Sequence, residues 1–429
     1  MKKSKNLIAC FYVLAIFLLI PIFNKGTFHD LSVHKIQAFY FICGLSLALF
    51  CLVSLIEDFG KRNIETTKEP KIKFLRTDIA MAVFGSAVVL SALLSGHIKE
   101  SFYGVSGFGM GALSIALMIL SYFYISRFLI TPKWIFHYIV ATSIFPIALA
   151  LINRAGIDLL NMYEQGADPK YSLYVSTLGN YGWFSEYMAI IIPIAIYMHV
   201  MTENVLERIL YGMYLILALA AVTFCGTNML MMTVFAVFIL VLIRRFLTLV
   251  SEKDAVRAFA KKRLPWAFVI AVIVYYALVF FVSGHDDMAN GRGYIWNLSM
   301  DLYKNLPLKE KLIGVGPNRY MYVLNDYLGT RSGLSTFTSR FNDLALTSAH
   351  SEYLDYLINT GIIGLAAYTY MIYTVMSSFI REGFGERNKE IAFVSAISYM
   401  IYSLCNFSIV CATPMFFIYL AMCVSKEKE

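Results

Sequence analysis

An all-α, polytopic membrane fold of about twelve transmembrane helices, with one large extracytoplasmic loop containing short helices, is what this sequence predicts. Three observations predict it. Of its 429 residues, 59% are hydrophobic and only 15% charged, far from the balance of a soluble domain. The apolar residues gather in successive runs of about twenty, the length a helix needs to cross a bilayer core. Lysine and arginine crowd into alternate loops, as the positive-inside rule requires. An outer-membrane barrel is excluded, because it would show short alternating segments instead.

In chain order the runs fall at 7–23, 36–56, 79–95, 110–126, 134–152, 183–200, 209–226, 228–243, 265–283, 353–380, 391–408 and 412–424. The opening MKKSK sets the amino terminus in the cytoplasm. The first run lacks an A-x-A-like site and many similar runs follow, so it reads as a span and not as a removed signal. Lys61, Arg62, Lys68, Lys71, Lys73 and Arg76 mark one inside loop, and Arg244, Arg245, Lys253, Arg257, Lys261, Lys262 and Arg263 another. The short outside loops carry only Lys25, Lys35, Lys99, Arg154 and Lys170. An even span number returns the terminal KEKE to the cytoplasm. The stretch CGTN at 225–228 reads as a hairpin between spans, and Pro193 and Pro414 as kinks within them. Without repeats or linkers, 1–429 reads as a single integral membrane domain.

The net charge of +8 follows this topology and is no nucleic-acid signal. Cys10, Cys43, Cys51, Cys225, Cys405, Cys411 and Cys423 lie in or beside apolar runs with no CxxC pair, so they read as packing residues. Only His137, Glu186 and His199 approach a membrane region. A flippase or exporter of lipid-linked oligosaccharide is the alternative function, and it needs a cationic path through the membrane that such spans do not supply. Polar chemistry is therefore expected outside, in the segments 153–182 and above all 284–352.

Within 284–352, His350 stands out. Thr347 or Ser348 reads as a helix cap, which puts His350 in a first helical turn, where the dipole favours a neutral imidazole able to take a proton. The bland alternative is a water-satisfied interfacial histidine. Glu352, two residues on, points to another face. Arg292, in the turn-rich NGRGYIW after a span, has the donor fork that suits a diphosphate; a snorkelling arginine is its plain reading. Arg319, Arg331 and Arg340 add further outside cations, with Lys304, Lys309 and Lys311 as solvated neighbours. GVGPN at 314–318 lacks the Walker spacing and reads as a turn. Asp286 and Asp287 are a weak metal pair, more simply solvated.

These pieces together resemble the carboxy-terminal region of the O-antigen ligase and polysaccharide polymerase superfamily. The resemblance rests on Arg292 with Ile295-Trp296, Pro307-Leu308, Gly314-Val315-Gly316-Pro317, His350-Ser351-Glu352-Tyr353-Leu354 and Gly361-Ile362-Ile363-Gly364. STLGNYGWFSEYMAIIIPIAIY (176–197) and NFSIVCATPMFFIYLAM (406–422) are similar to further family patches. Departures are Thr227-Asn228-Met229 where the family has Ser-Arg-Gly, no arginine in GVSGFGMG (104–111), and Ser351 for asparagine. Arg319 or Arg340 is left to substitute for the missing arginines.

The resemblance implies a multi-pass enzyme of the bacterial cytoplasmic (inner) membrane, without metal or other cofactor, acting on its outer face. Its donor would be an undecaprenyl-diphosphate-linked glycan, and its acceptor a sugar hydroxyl on another glycan or on lipid A core. Polymerase and ligase share this chemistry. His350 would be the base and Arg292 the cation at the departing diphosphate. Arg319, Arg340, Asn180, Glu352, Trp296 and Tyr353 would hold substrate.

Overall fold

Inside a bilayer every backbone N–H and C=O must be paired within the protein, and the chain meets that demand with helices. The computed structural model describes residues 2–25, 31–62, 74–105, 107–162, 174–225, 228–250, 253–283, 285, 288–329 and 346–425. In order they form α1 (Lys2–Ile22), α2 (Leu31–Arg62), α3 (Arg76–Leu94), α4 (Ile98–Tyr103), α5 (Ala112–Phe128) and α6 (Ile135–Arg154). A two-stranded hairpin follows, β1 (Tyr174–Val175) and β2 (Gly179–Asn180), antiparallel around a single 3-10 turn. Then come α7 (Tyr181–Met201), α8 (Val205–Cys225), α9 (Asn228–Val250) and α10 (Lys253–Ser283). The expected outer segment supplies α11 (Met288–Asn305), α12 (Leu308–Ile313) and α13 (Tyr320–Gly329). The chain closes with α14 (Glu352–Ser378), α15 (Arg387–Tyr402) and α16 (Thr413–Val424).

Among the described residues, 8 helices are long and apolar enough to cross a membrane: α1, α2, α3, α6, α7, α8, α9 and α14. The other four expected runs lie on α5, α10, α15 and α16; α5 and α16 are shorter apolar helices. The run 391–408 is helical only to Tyr402, and the chain then turns through 403–412 before α16. Pro414 kinks nothing. It sits in the first turn of α16, where a missing N–H costs no hydrogen bond.

Burial separates the centre of the bundle from its rim. Of the apolar window of α7, 83% is buried, against 22% for α2 and 28% for α8 and α9. The exposed leucines, isoleucines and phenylalanines of α2, α8 and α9 thus form an apolar outer surface, as acyl chains require. The expectation of nearly bare spans is corrected here. Glu186, Glu352, Asp78 and Glu390 are all buried, and each is tied to protein partners.

Contacts between helix ends sort the chain into two faces. On one, Lys5 pairs with Glu57 at 2.6 Å, Arg127 with Asp78 at 2.8 Å and Arg244 with Glu390 at 2.7 Å, while Asn388 donates to the Thr131 carbonyl. On the other, Lys35 caps the Ile20 and Phe23 carbonyls at the end of α1, Tyr40 reaches Ser114, and Asn318 holds the Val105 N–H. Described helix ends that flank the expected inside loops thus share one face, and those that flank the expected outside segments share the other.

α14 is two helices in one. Gly361 has φ 69° and ψ −177°, which breaks the helix and strips its hydrogen-bond ladder there. The bend 314–316 fills the gap: the N–H groups of Val315 and Gly316 donate to the Ile358 and Asn359 carbonyls at 3.1 and 2.9 Å. Ser91 of α3 donates a second bond to the Asn359 carbonyl at 2.8 Å. The Asn359 side chain in turn accepts the Arg319 N–H at 3.1 Å. The approach is so close that a Cβ on Gly314 or Gly361 would meet the other strand's backbone. Gly361→Ala should therefore destabilise the protein by at least about 1–2 kcal/mol from the left-handed backbone alone. Thermal unfolding in detergent micelles, with an unchanged midpoint against the wild type, would contradict this.

Candidate functional site

The segment 403–408 leaves the helix because its carbonyls and side chains are used elsewhere. Ser403 gives its carbonyl to the Glu352 N–H at 3.0 Å, the first free donor of α14. Cys405 gives its carbonyl to Nε of Arg292 at 2.8 Å. The Asn406 amide donates to Oε2 of Glu186 on α7. The Phe407 ring meets the His350 imidazole edge-on at 5.3 Å. Ser408 donates to Oε1 of Glu352 at 3.0 Å, an oxygen that also accepts from Tyr368 at 3.0 Å. Five positions of a six-residue stretch thus reach α7, α11, α14 and the turn before it.

His350 is half-buried and stands just before α14, not in its first turn. Its φ of 51° is left-handed, a strained setting for a non-glycine residue. The expected helical capping by Thr347 or Ser348 is corrected: Ser351 is the N-cap residue, and Ser348 instead binds His350 itself. Nδ1 of His350 lies 3.3 Å from the Ser348 carbonyl, which can only accept. The carbonyl suits a proton on Nδ1, while the Ser348 hydroxyl, 3.4 Å from the same nitrogen, can donate to it instead. Burial first, and the charge of Arg292 second, push the imidazole down to about 4. A neutral ring results, but from desolvation and a neighbouring cation, not from a helix dipole.

Arg292 lies inside α11 and not in a turn, although Gly291 before it keeps a left-handed φ of 80°. Gly293 after it explains the placement. A Cβ there would strike the Val282 and His285 carbonyls, so only glycine lets α11 seat against the end of α10. That seating turns Arg292 toward Cys405 and His350.

A cleft of about 40 Å³ opens beside this centre, lined by Pro317, Asn318, Ser348, Asp355, Asn359 and Ser408 among others. Asp355 fixes the approach to the histidine by accepting the Ala349 N–H at 2.8 Å. Among the described residues no group of three or more His, Cys, Asp or Glu side chains is placed to hold a metal ion. Asp286, Asp287, Arg331 and Arg340 lie outside the described residues.

The other expected site residues divide. Glu352 is fully buried and accepts from Tyr368 and from Ser408, a lining residue of the cleft. Tyr353 packs against Tyr275 at 5.2 Å and donates to the Met400 carbonyl. Trp296 is fully buried, its ring out of reach of any solute in this conformation. Asn180 caps α7 by accepting the Trp183 N–H at 2.9 Å. Arg319 is 6% exposed and lies over the Tyr322 ring at 5.8 Å. Burial lowers its guanidinium below the usual range, with Glu100, Asp326 and Glu310 opposing. It faces α4 and α13, so the structure does not bring it to His350.

Sequence reasoning missed Asp355, Asn406, Phe407 and Ser408, and did not connect Glu186 to the site. A signal existed: Asn406 and Ser408 are polar residues interrupting an otherwise apolar carboxy-terminal stretch.

Comparison with known families decides the assignment. Residues 185–369 match the family model described as O-antigen ligase. Those 185 residues of the chain are thus similar to an O-antigen ligase domain. The matched stretch begins one residue before Glu186 and ends just after Tyr368, so it contains Arg292, the 314–316 bend, His350 and both halves of the Gly361 break. No curated protein matches the chain. That match, with the apolar helices around it, supports a membrane enzyme of the ligase and polymerase type in general terms.

Removing one anchor of the 403–408 segment should be measurable without any substrate. Glu186→Ala leaves the buried Asn406 amide unpaired, at a cost of about 1–3 kcal/mol. Glu186→Gln keeps an acceptor and should recover most of it. Equal melting temperatures for wild type and Glu186→Ala would remove this anchor from the account.

Proposed function

We propose that this protein moves a glycan from undecaprenyl diphosphate to a sugar hydroxyl on the extracytoplasmic side of the bacterial inner membrane. The single observation that carries this reading is the convergence of Arg292 and His350 on one short segment, 403–408, beside an open cleft. The face carrying them would be outside, and the face of Lys5, Arg127 and Arg244 inside, with both termini in the cytoplasm.

In this mechanism the acceptor O–H donates to Nε2 of His350 as its oxygen attacks the anomeric carbon. A new C–O bond forms there while the bond from that carbon to the diphosphate oxygen breaks. The electron pair leaves with undecaprenyl diphosphate, whose extra negative charge Arg292 stabilises. The proton on His350 then passes to water. A diphosphate leaves as a stable anion, so no general acid is needed, and the reading asks for no metal. A ligase acting on lipid A core and a polymerase extending another lipid-linked glycan would both use these steps. Overall similarity to capsule and exopolysaccharide members inclines the reading to polymerase.

His350→Ala should lower transfer by about 10²–10⁴-fold, the range for a positioned base, with membrane insertion intact. Arg292→Lys keeps the charge but loses the fork, and should lower transfer by at least about tenfold. Assays of glycan transfer to reconstituted protein read both. Wild-type rates in the first variant remove the base, and wild-type rates in the second remove the bidentate contact.

The pH profile gives an independent check. The imidazole stays neutral until about 4, and only the neutral ring can accept a proton. Transfer should therefore stay flat from about pH 8 to about pH 5 and fall as the pH drops further. An acid limb centred near the ordinary histidine value would show that His350 is not held as described.

A further inference from the structure

A second cavity lies on the same face, behind the first. It has a volume of about 440 Å³, within the size range of small-molecule sites. Its walls come from α2, α4, α13 and the residues Gly104, Val105, Gly107 and Gly109. Tyr40, Tyr103 and Tyr322 supply aromatic rings, and Gln37, Lys99 and Glu100 supply polar ends. Tyr40 is fixed by bonds to Ser114 at 2.9 Å and to the Gly109 carbonyl at 3.3 Å. Tyr103 is 52% exposed and sits edge-on to Phe102 at 5.3 Å, so its own ring face is open.

The two cavities are back to back across one thin wall. Gly109 lines the large cavity and Met110, the next residue, lines the cleft beside His350. Val105 lines the large cavity and gives its N–H to Asn318, which lines the cleft, at 2.8 Å.

Ligand chemistry follows from the lining. Lys99 and Glu100 place one charge of each sign among the lining side chains, which does not suit a diphosphate. A polyprenyl tail would strand Gln37, Lys99 and Glu100 against hydrocarbon. Aromatic faces interleaved with an amide and opposite charges match a sugar ring, which has apolar C–H faces and hydroxyl edges. We infer that this cavity is a distal glycan subsite, holding an uncharged sugar ring of the glycan substrate away from the reacting centre. The choice of ligand rests on the glycan-transfer reading above.

The test uses full-length protein in nanodiscs and neutral oligosaccharides released by mild acid from the producing cell's surface glycan, with binding read by saturation-transfer NMR. Wild type should bind. Tyr103→Ala should weaken binding by about tenfold, the scale of one aromatic contact, and Tyr103→Phe should restore it. Because Tyr103 is half exposed, neither change threatens the fold, and an unchanged melting temperature checks this. His350→Ala should bind as wild type does while losing transfer. No binding by wild type, equal binding by Tyr103→Ala, or displacement only by phospholipid overturns the subsite. Retained transfer in His350→Ala with binding lost in Tyr103→Ala would instead overturn the base and leave the subsite standing.

Discussion

The backbone seal between 314–316 and the break at Gly361 is the constraint on which the rest of this structure depends. A helix interrupted within a membrane protein exposes carbonyls that hydrocarbon cannot satisfy. Here the Ile358 and Asn359 carbonyls are taken up by Val315, Gly316 and Ser91. The seal fastens the outer segment 288–329 to α14 and to α3 at one point. It sets the main-chain register of the 314–316 bend against α14, and the small cleft next to the candidate site has walls from each side of the joint.

A second joint, at 403–408, is made of side chains instead. Two buried glutamates, one arginine and one histidine all meet this short stretch. The bonds are individually modest, each contributing about 0.5–1.5 kcal/mol net. Their value lies in geometry: α7, α11 and α14 are each held to the same few atoms. Acids buried near the outer end of the bundle, which in a transporter would point to an ion path, here serve as anchors.

Much of this was legible in the residues. Apolar runs and their alternating basic loops gave the helical class, since the length and charge rules act locally on the chain. Gly314, Gly316 and Gly361 were readable as motif pieces, yet their meaning was not, because the backbone pairing joins residues over forty positions apart. His350 was expected in a first helical turn capped by Thr347 or Ser348, yet it precedes the helix, since propensity cannot see that Ser348 binds the histidine and Ser351 caps the helix. Arg319 looked equivalent to Arg292 in sequence. Only its place over the Tyr322 ring and near Glu100 shows that it turns the other way.

Hanging the imidazole and the guanidinium on one common strap has a kinetic corollary. Any displacement of residues 403–408, by a passing lipid or by thermal motion of α15 and α16, disturbs both groups together. Under the proposed mechanism, acceptor activation and charge neutralisation would then be mechanically linked. Such linkage would keep an activated sugar from being spent on water while the strap is out of place.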